Sequence, residues 1–380
     1  MANYDYVYVE RKTSVTGQTG TKTFELPEKG FIPEIIVRAY STPTASSNPA
    51  LPLIDAITKI EIVDGSETIK SLTGNQIKAL EMIHGSKKLA MTSTDDNSVE
   101  GYEEFRLILG KKINGVNYAP DFSRFSNPQM NISWDYSKTT TDKGMSCDAD
   151  TSPSMKFTIL CKVLRSPGGF VHGYIKSAEE RTWTQAANTE KRTRISIGDQ
   201  LLGIGVDCGY DAKNITDDLS EISLNFNNRE WIPFHFYDED VVACQNEWFG
   251  EPCEVTFRKD VKDGVEVDVH MGYVTGITIT AGETIEDITY SYPSMPSGIE
   301  TLAVKQSGSV AYSTYHQAIF TVTGFMPFHM WYCPMSALTE EGKDTIDTNQ
   351  YRKIELICKS GSNASTSSTP AVISEFLITR

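Results

Sequence analysis

Hydrophobic and polar residues alternate in short runs along most of the chain, which is the pattern expected for half-buried β-strands. The run "ITKIEIVDGSETIKSL" at residues 57–72 shows it clearly, because Ile60 and Ile62 would face one side of a sheet and the alternation resumes after an Asp-Gly pair. Asp64 and Gly65 can supply the positive φ angles of a type I′ turn. These residues therefore predict a β-hairpin.

A short helix is predicted directly after this hairpin, in "TGNQIKALEMIHG". Thr73 stands at the N-cap position and Gln76 follows three residues later, which is the spacing of a capping box. Gly85 can adopt the left-handed conformation that ends many helices. The predicted unit is a hairpin followed at once by a helix.

The same unit occurs again in "LSEISLNFNNREWIPFHFYDEDVVACQNEWFG", where an Asn-Asn pair supplies the predicted turn. Asp238 occupies the N-cap position and Gly250 ends the second helix. They lie 165 residues after Thr73 and Gly85, respectively. The repetition indicates that the two halves of the chain are related.

The flanking segments also match, in the same order. Residues 10–40 and 180–210 both begin with Glu-Arg, cross a Thr-rich polar stretch and reach an apolar strand. Further on, "DFSRFSNPQMNISW" (121–134) parallels "DTNQYRKIELICKS" (347–360), and each half then closes on an apolar strand. The alternative is that any all-β chain offers alternating segments at similar spacing, but four ordered matches favour a duplication.

The separation between matching segments grows from about 170 to 226 residues, so the second half carries roughly 60 extra residues. They fall within 251–327, a stretch rich in strand and turn signals that predicts a structured insertion rather than a long loop. Pro and Gly residues in "RSPGGFVHG" break a strand run. They place a domain boundary between 1–168 and 169–380.

Each half holds about eight short strands and one short helix, which indicates a β-sandwich or barrel. Long gaps between strands that must pair, such as that from residue 40 to 57, favour jelly-roll winding over a meander. The predicted fold class is all-β: two tandem jelly-roll sandwiches, each with a short helix, plus a β-rich insertion in the second. Three such two-lobed copies could form a ring of near-hexagonal outline.

Net charge, hydrophobic run length and cysteine spacing each argue against certain classes of protein. The net charge of −15, from 50 acidic and 35 basic residues, would repel phosphate backbones, so no direct nucleic-acid partner is expected. No apolar run approaches the roughly 18 residues of a membrane span, and "MANYDYVYVERK" lacks a signal-peptide core. Synthesis in a cytoplasm is expected. The seven cysteines form no Cys-x-x-Cys pair and are predicted to be buried free thiols.

The sequence contains no nucleophile elbow, zinc-protease helix, phosphate loop or dinucleotide fingerprint. We therefore predict no catalytic, cofactor-binding or metal-binding residue, no cofactor and no enzyme activity. His235 is expected on the polar face of a strand. None of the six histidines has the spacing of a metal ligand; they are His84, His172, His235, His270, His316 and His329.

Two other groups are open to more than one interpretation. The acidic pair at 217–218 and the acidic triplet at 238–240 lack the calcium-loop pattern. The pair suits a solvated turn, and the triplet suits a helix N-terminus. The aromatic run "FMPFHMWYCP" (325–334) could stack against sugars, but its alignment with "FRLILG" (105–110) indicates a core strand. Paired carboxylates for glycoside hydrolysis stay open, although no pair stands out.

The doubled order of hairpin, short helix and later "DFSRFSNPQMNISW"-type strand resembles the double jelly-roll major capsid proteins of tailless icosahedral viruses, from about Tyr4 to Arg380. The resemblance implies upright jelly rolls, homotrimers, a tower formed by the insertion, and contacts with neighbouring capsomers, penton and minor capsid proteins. Such viruses commonly enclose a lipid membrane. Some members begin with a basic amphipathic helix that is not visible here, so contact with an internal membrane stays open.

The function that this resemblance implies is a viral structural protein: a major capsid protein that assembles as pseudo-hexagonal trimers into the virion of an icosahedral virus, such as a bacteriophage, after synthesis in the host cytoplasm. One alternative is a carbohydrate- or receptor-binding β-sandwich spike protein, which exposed aromatic residues on the insertion would favour. A second is a glycan-active enzyme, which requires a deep cleft with two carboxylates within about 10 Å of each other.

Overall fold

The computed structural model describes most of the chain, namely residues 4–17, 19–41, 53–91, 100–111, 117–135, 155–164, 173–209, 215–261, 265–268, 271–281, 288–290, 301–306, 316–339, 343–366 and 368–379. None of the helices in these ranges has the length and apolarity needed to span a bilayer.

Eight strands of the first half form one sandwich. They are β1 (Tyr4–Val15), β2 (Thr19–Glu25), β3 (Phe31–Ser41), β4 (Ile57–Asp64), β5 (Glu67–Leu72), β7 (Gly101–Ile108), β8 (Pro128–Asp135) and β9 (Met155–Leu164). They build two sheets in the orders β1-β9-β3-β7 and β2-β8-β4-β5. Phe24 and Trp134 of one sheet meet Phe157 of the other, with ring centroids 6.2 and 5.9 Å apart. This winding is a jelly roll.

The second half repeats this winding strand for strand. Its sheets have the orders β10-β24-β12-β21 and β11-β23-β13-β14. The predicted double jelly roll is therefore confirmed. The strands are β10 (Tyr174–Thr182), β11 (Glu190–Ile195), β12 (Gln200–Asp207), β13 (Glu221–Phe226), β14 (Trp231–Tyr237), β21 (Met330–Pro334), β23 (Ile354–Lys359) and β24 (Ala371–Ile378), with β22 (Ile346–Asp347) extending the pairing of β12.

Each half also contains two short helices, α1 (Leu53–Ala56) and α2 (Gly74–His84) in the first, and α3 (Ile215–Asp218) and α4 (Glu239–Phe249) in the second. The predicted start of α2 at Thr73 is confirmed. Its side chain accepts a hydrogen bond from the Gln76 amide at 3.3 Å, and the Gln76 side chain accepts one from the Thr73 amide at 2.9 Å.

Three local predictions need correction. Gly85 ends α2 with a φ of −124°, so it is not in the left-handed conformation, whereas Gly250 at the end of α4 has a φ of 70°. Asp238 occupies the N-cap position of α4, but its side chain makes no capping hydrogen bond, and its φ of 39° places it outside the extended conformation of Thr73. In the first hairpin Asp64 pairs with Glu67, so the loop consists of Gly65 and Ser66. Only the first of these two has a positive φ, 58°, which is the pattern of a type II′ turn rather than type I′.

The insertion is β-rich, as predicted, and is attached to both halves. Its strands are β15 (Cys253–Val261), β16 (Val265–Asp268), β17 (Met271–Ala281), β18 (Ile288–Tyr290), β19 (Thr301–Gln306) and β20 (His316–Pro327). A first-half strand, β6 (Lys88–Ala90), pairs in parallel with β15. Residues 165–172 around the predicted domain boundary lie outside the described residues.

The aromatic run at 325–334 is core rather than a surface platform. Met330, Trp331, Tyr332 and Cys333 are all buried. The indole Nε1 of Trp331 donates to the backbone oxygen of Val241 in α4 at 3.0 Å, which satisfies the one polar atom of a buried tryptophan. The interpretation of this segment as a core strand is confirmed.

Six cysteines lie within the described residues and all are buried without disulfide partners. Burial raises the pKa of Cys161 to about 12, so its thiol stays protonated and unreactive. The expectation of buried free thiols is met at these six positions, whereas Cys147 lies outside the described residues.

The two jelly rolls are joined by strand pairing. β5 runs parallel to β10, with Lys70 opposite Ser177 and Ser71 opposite Ala178. This pairing fuses β2-β8-β4-β5 and β10-β24-β12-β21 into one continuous sheet across both halves. We call it the internal joint.

Helix α2 of the first half crosses the internal joint and bonds to the second half. The side-chain amide of Gln76 donates to Glu179 Oε1 at 2.9 Å and to Asp207 Oδ2 at 3.0 Å. At the other end of the helix, the His84 ring packs edge-on against Tyr332, with centroids 5.4 Å apart. The helix therefore fixes the angle between the two sandwiches.

A buried carboxylate lies at the centre of the joint. Glu375 is 1% exposed and accepts hydrogen bonds from Ser177 Oγ (2.7 Å) and Tyr332 OH (2.8 Å), with His84 Nε2 at 2.5 Å. Burial by itself would raise the pKa of Glu375, but the charge and hydrogen bond of His84, together with Lys70 and Ser177, lower it to about 2. The joint therefore holds an ionised carboxylate.

The repeat provides a matched test of helix capping. Thr73→Ala removes a cap that the structure contains, so it should lower the free energy of unfolding by about 1 kcal/mol. Asp238→Asn, at the equivalent position, removes no cap bond and keeps a residue type that tolerates positive φ, so it should change the free energy of unfolding by less than about 0.5 kcal/mol. Urea denaturation followed by tryptophan fluorescence measures both, and equal losses would contradict the assignment.

The joint should also show in the pH dependence of stability. The pKa of Glu375 in the folded protein, about 2, lies below its ordinary value of 4.5, so its stabilisation is present above pH 4.5 and is lost as the pH falls towards 2. Glu375→Gln should cost about 3–5 kcal/mol at pH 7, because it removes the buried carboxylate to which His84, Ser177 and Tyr332 are bonded. The substitution should also reduce the fall in the free energy of unfolding between pH 4.5 and pH 2, which urea denaturation at each pH measures.

The control is Glu254→Gln, which breaks an exposed pair with Lys88 whose side chain is 76% accessible. Exposed pairs contribute little, so this change should stay within about 0.5 kcal/mol. If Glu375→Gln behaved like the control, the buried carboxylate would not hold the joint together.

Candidate assembly surfaces

Two strands that correspond to those of the internal joint have a pairing partner on one side only, within the described residues. β1 ends the sheet β1-β9-β3-β7, and β14 ends the sheet β11-β23-β13-β14. In the order of strands, β1 is the first-half counterpart of β10, and β14 is the second-half counterpart of β5. We call β1 and β14 the lateral edges.

Exposed apolar side chains concentrate on these lateral edges. Monomeric proteins normally protect sheet edges with charge or covering segments, so apolar edges indicate contact with another chain. Five of the seven large hydrophobic residues that are exposed in the described part of the chain lie here: Tyr6 (59%), Val7 (37%) and Tyr8 (56%) on β1, and Ile232 (41%) and Tyr237 (51%) on β14.

The edge at β1 is supported by a buried cation. The Lys162 ammonium lies 4.5 Å from the ring centroid of Tyr4 and 5.9 Å from that of Tyr6. Its Nζ atom is 3.8 Å from a carboxylate oxygen of Glu34. Burial, and after it the charge of Glu34, raise the pKa of Tyr4, so this phenol is neutral. Tyr4 therefore contributes a neutral aromatic side chain to this edge.

The edge at β14 also has its charges paired. Glu221 lies 2.7 Å from His235 Nε2 and 3.1 Å from Lys359 Nζ. Burial would raise the pKa of Glu221, but these two hydrogen bonds outweigh it and lower that pKa. His235 is exposed on the strand, as predicted, and its ring packs against Tyr237 at 4.5 Å. With the charges satisfied locally, the apolar side chains dominate this edge.

A separate groove of about 880 Å³ lies where α4, the loops of the second jelly roll and the base of the insertion meet. Its size is typical of ligand-binding clefts. Tyr273 and Phe325 of the insertion form an apolar wall. Asp217, Glu239 and Asn246 line the groove, and their side chains have no hydrogen-bond partner among the described residues.

This groove brings together acidic residues that are remote in sequence. Asp217 belongs to the 217–218 pair, and Asp238 and Glu239 belong to the 238–240 triplet, yet all three line the same cleft. The one lysine of the lining, Lys359, points its Nζ atom to Glu221. The groove therefore suits neutral, hydroxyl-rich or cationic ligands and disfavours anions.

Other candidate chemistry is dispersed. Among the described residues, no three His, Cys, Asp or Glu side chains are placed to hold a metal ion. His84 lies at the internal joint, His235 on a lateral edge and His329 in the buried turn between β20 and β21. His172 and His270 lie outside the described residues.

No protein-family model and no curated protein sequence matches this chain. Solved structures do match it. The crystal structure of the STIV MCP (major capsid protein) is 12% identical, with 99% of this chain and 96% of that chain covered and a TM-score of 0.56. The atomic structure of Sulfolobus Turreted Icosahedral Virus is 12% identical, covering 98% and 90%, with a TM-score of 0.55.

A third likeness is to the PBCV-1 virus capsid, in a quasi-atomic model. It is 7% identical, covers 99% of this chain and 94% of that chain, and has a TM-score of 0.51. Similarity at these identities concerns the fold, and it extends over nearly the full length of both chains. The resemblance inferred from the sequence is confirmed at this level: the chain has the double jelly-roll fold of major capsid proteins from icosahedral viruses.

Proposed function

We propose that this protein is a major capsid protein that forms homotrimers and, through them, the shell of an icosahedral virion. The observation that carries the proposal is the internal joint. Through it, two sandwiches with the same strand order share one continuous sheet. A fold shared over almost its whole length with the STIV MCP supports it. The role is structural, and no enzyme activity is proposed.

In this proposal the chain is a subunit with two domains, 1–168 and 169–380. Three subunits bring six jelly rolls into a pseudo-hexagonal capsomer. Capsomers then contact one another, penton proteins and minor capsid proteins through their polar loops. The net charge of −15 keeps copies apart at low ionic strength and disfavours direct contact with the genome.

We further propose that the insertion at 251–327 forms a tower on the outer face of the virion. Its attachment supports this role, because the first half holds it in two ways. β6 adds a strand to its sheet. Lys87 Nζ donates to the backbone oxygens of Phe249 (2.7 Å) and Glu251 (3.1 Å) at the C-terminal end of α4, where a cation suits the helix dipole. A tower held this way would be rigid.

The groove favours a second function for the same subunit, the binding of a neutral carbohydrate. On the apolar wall the half-buried Tyr273 can stack against a sugar ring, whereas Phe325 is buried. The unpaired oxygens of Asp217, Glu239 and Asn246 can accept hydrogen bonds from sugar hydroxyls. The surplus of carboxylates over free cations would exclude sialylated or sulfated glycans.

Oligomeric state tests the capsid function directly. Light scattering of the purified protein should give a mass of about three times 42.2 kDa. Negative-stain images should show threefold particles with a hexagonal outline. Monomers that stay monodisperse at high protein and salt concentration, where repulsion between the acidic surfaces is screened, would overturn the proposal.

Glycan arrays test the second function. The trimer should bind neutral oligosaccharides, and Tyr273→Ala should weaken that binding about tenfold, since loss of ring stacking is worth about 1 kcal/mol or more. Thr278→Ala is the matched control, because this exposed residue lies on the same strand outside the groove. No binding of neutral glycans, or equal binding by the two variants, would rule out the groove as the site.

A further inference from the structure

We propose that α2 is a proton-sensitive latch between the two jelly rolls, which holds the internal joint firmly in mild acid and loosens as the carboxyl groups packed against it ionise. The inference concerns the folded subunit and does not depend on the proposed capsomer. The latch has two parts: a cluster of carboxyl groups at the N-terminal end of α2, and the buried residue Glu81 on the helix itself.

The N-terminal end of α2 gathers three carboxyl groups. The side-chain amide of Gln76 donates both to Glu179 of β10 and to Asp207 of β12, at 2.9 and 3.0 Å. The preceding residue of the helix, Asn75, donates to Asp55 of α1 at 2.7 Å. Both helix donors are neutral amides. Their hydrogen bonds therefore hold the acids close together without cancelling their negative charge.

Asp207 is the member of this cluster through which protons act on the joint. Burial raises its pKa, and the charges of Glu179 and Asp55 add to the rise. Hydrogen bonds from Gly209 and Gln76 offset it only in part, so the pKa of Asp207 is about 6. Because opening of α2 would return this carboxylate to water, ionisation of Asp207 favours opening.

The buried side of α2 carries a second carboxyl group of the same kind. Glu81 is 5% exposed, and its Oε2 atom has no hydrogen-bond partner among the described residues. Its Oε1 atom lies 3.6 Å from Nε of Arg106. That guanidinium also pairs with Glu34 at 3.1 Å and with Glu104 at 2.8 Å, so one cation is shared among three carboxyl groups.

Burial also dominates the titration of Glu81. It raises the pKa of Glu81 to about 7, although the charges of Lys78 and Arg106 oppose the rise. Glu104 contributes a further, smaller rise. Lys78 is itself paired with Glu103 at 3.3 Å, and both of these side chains are buried. An ionised carboxylate with an unsatisfied buried oxygen is costly, so protonation of Glu81 stabilises the packing of α2.

The two pKa values fix the direction of the pH effect. Each lies above the ordinary value of its group, 3.8 for Asp207 and 4.5 for Glu81, so the proton is bound more tightly when α2 is packed in place than when it has opened to water. The stabilisation is complete below those ordinary values and is lost as the pH rises to about 6 and about 7, respectively. The contribution of Glu375 has the opposite sign but is constant above pH 4.5.

Helix α4 is an internal control, because it also has 11 residues and takes the place of α2 in the second half. Its counterpart of Glu81 is Asn246, 165 residues later, which has an amide instead of a carboxyl group. The buried side chains of α4 are Val241, Cys244 and Gln245, and none of them is a carboxylic acid. Opening of α4 should therefore depend little on pH.

Hydrogen–deuterium exchange of the full chain at pH 5 and pH 7.5, corrected for the intrinsic exchange rate at each pH, tests the latch. The protection factor of α2 should fall at least about tenfold between these two values, since one pKa unit of differential stabilisation is a tenfold change in the opening constant. That of α4 should change by less than about threefold. Equal changes in the two helices, or stronger protection of α2 at pH 7.5, would overturn the proposal.

Neutral isosteres identify the groups responsible. Asp207→Asn and Glu81→Gln should each raise the protection of α2 at pH 7.5 and reduce its fall between the two pH values, and together they should abolish that fall. His84→Asn is the control, because His84 lies on the last turn of α2 beside Glu375. It should lower the protection of α2 at both pH values and leave most of the fall.

Each outcome bears on the latch alone. A pH dependence that disappears in the His84 variant and persists in the two carboxyl variants would assign the effect to the pair of His84 and Glu375 and contradict the proposal. If a carboxyl variant failed to fold, the comparison of α2 with α4 in the unaltered protein would still decide. Whether the protein trimerises is measured separately by light scattering, so failure of one proposal does not imply failure of the other.

Discussion

The parallel pairing of β5 with β10 is the contact on which the rest of the architecture depends. Two registered pairs, Lys70 with Ser177 and Ser71 with Ala178, make one sheet out of two sandwiches. Backbone pairing fixes both the spacing and the direction of neighbouring strands. The two jelly rolls therefore form one block whose shape does not depend on a linker. Because both have the same winding, the counterparts of these two strands, β14 and β1, lie at the ends of the two other sandwich sheets.

Buried charge makes the internal joint specific. Glu375 and Lys70 lose their hydration there, and that cost is offset only when the carboxylate reaches Ser177, Tyr332 and His84. A joint shifted by one residue would leave these groups without partners. In the second half Phe234 stands at the position that corresponds to Lys70, so this buried charge has no counterpart there.

The insertion shows how the second half departs from the duplication. It enters after α4, where the first half has only the short strand β6, and that strand is drawn into its sheet. Lys87 then caps the end of α4 from the other half. The same junction encloses the groove, whose walls come from the second jelly roll, from α4 and from Tyr273 and Phe325 of the insertion. The groove exists at this place only because of the insertion.

The sequence by itself determined the strands, the two 11-residue helices and the duplication, because alternation, cap residues and repeat spacing are local properties of the chain. Asp121 and Asp347 illustrate this, since both cap equivalent 3₁₀ turns 226 residues apart. Local patterns predicted wrongly where strand pairing decided the outcome. The pairing of Asp64 with Glu67 shifts the hairpin turn by one residue, and Asp238 has a conformation in which its side chain makes no capping hydrogen bond. The internal joint, the apolar edges and the groove were decided by tertiary structure alone. Their residues lie far apart in sequence, and burial and strand partners are properties of the folded chain that no local pattern encodes.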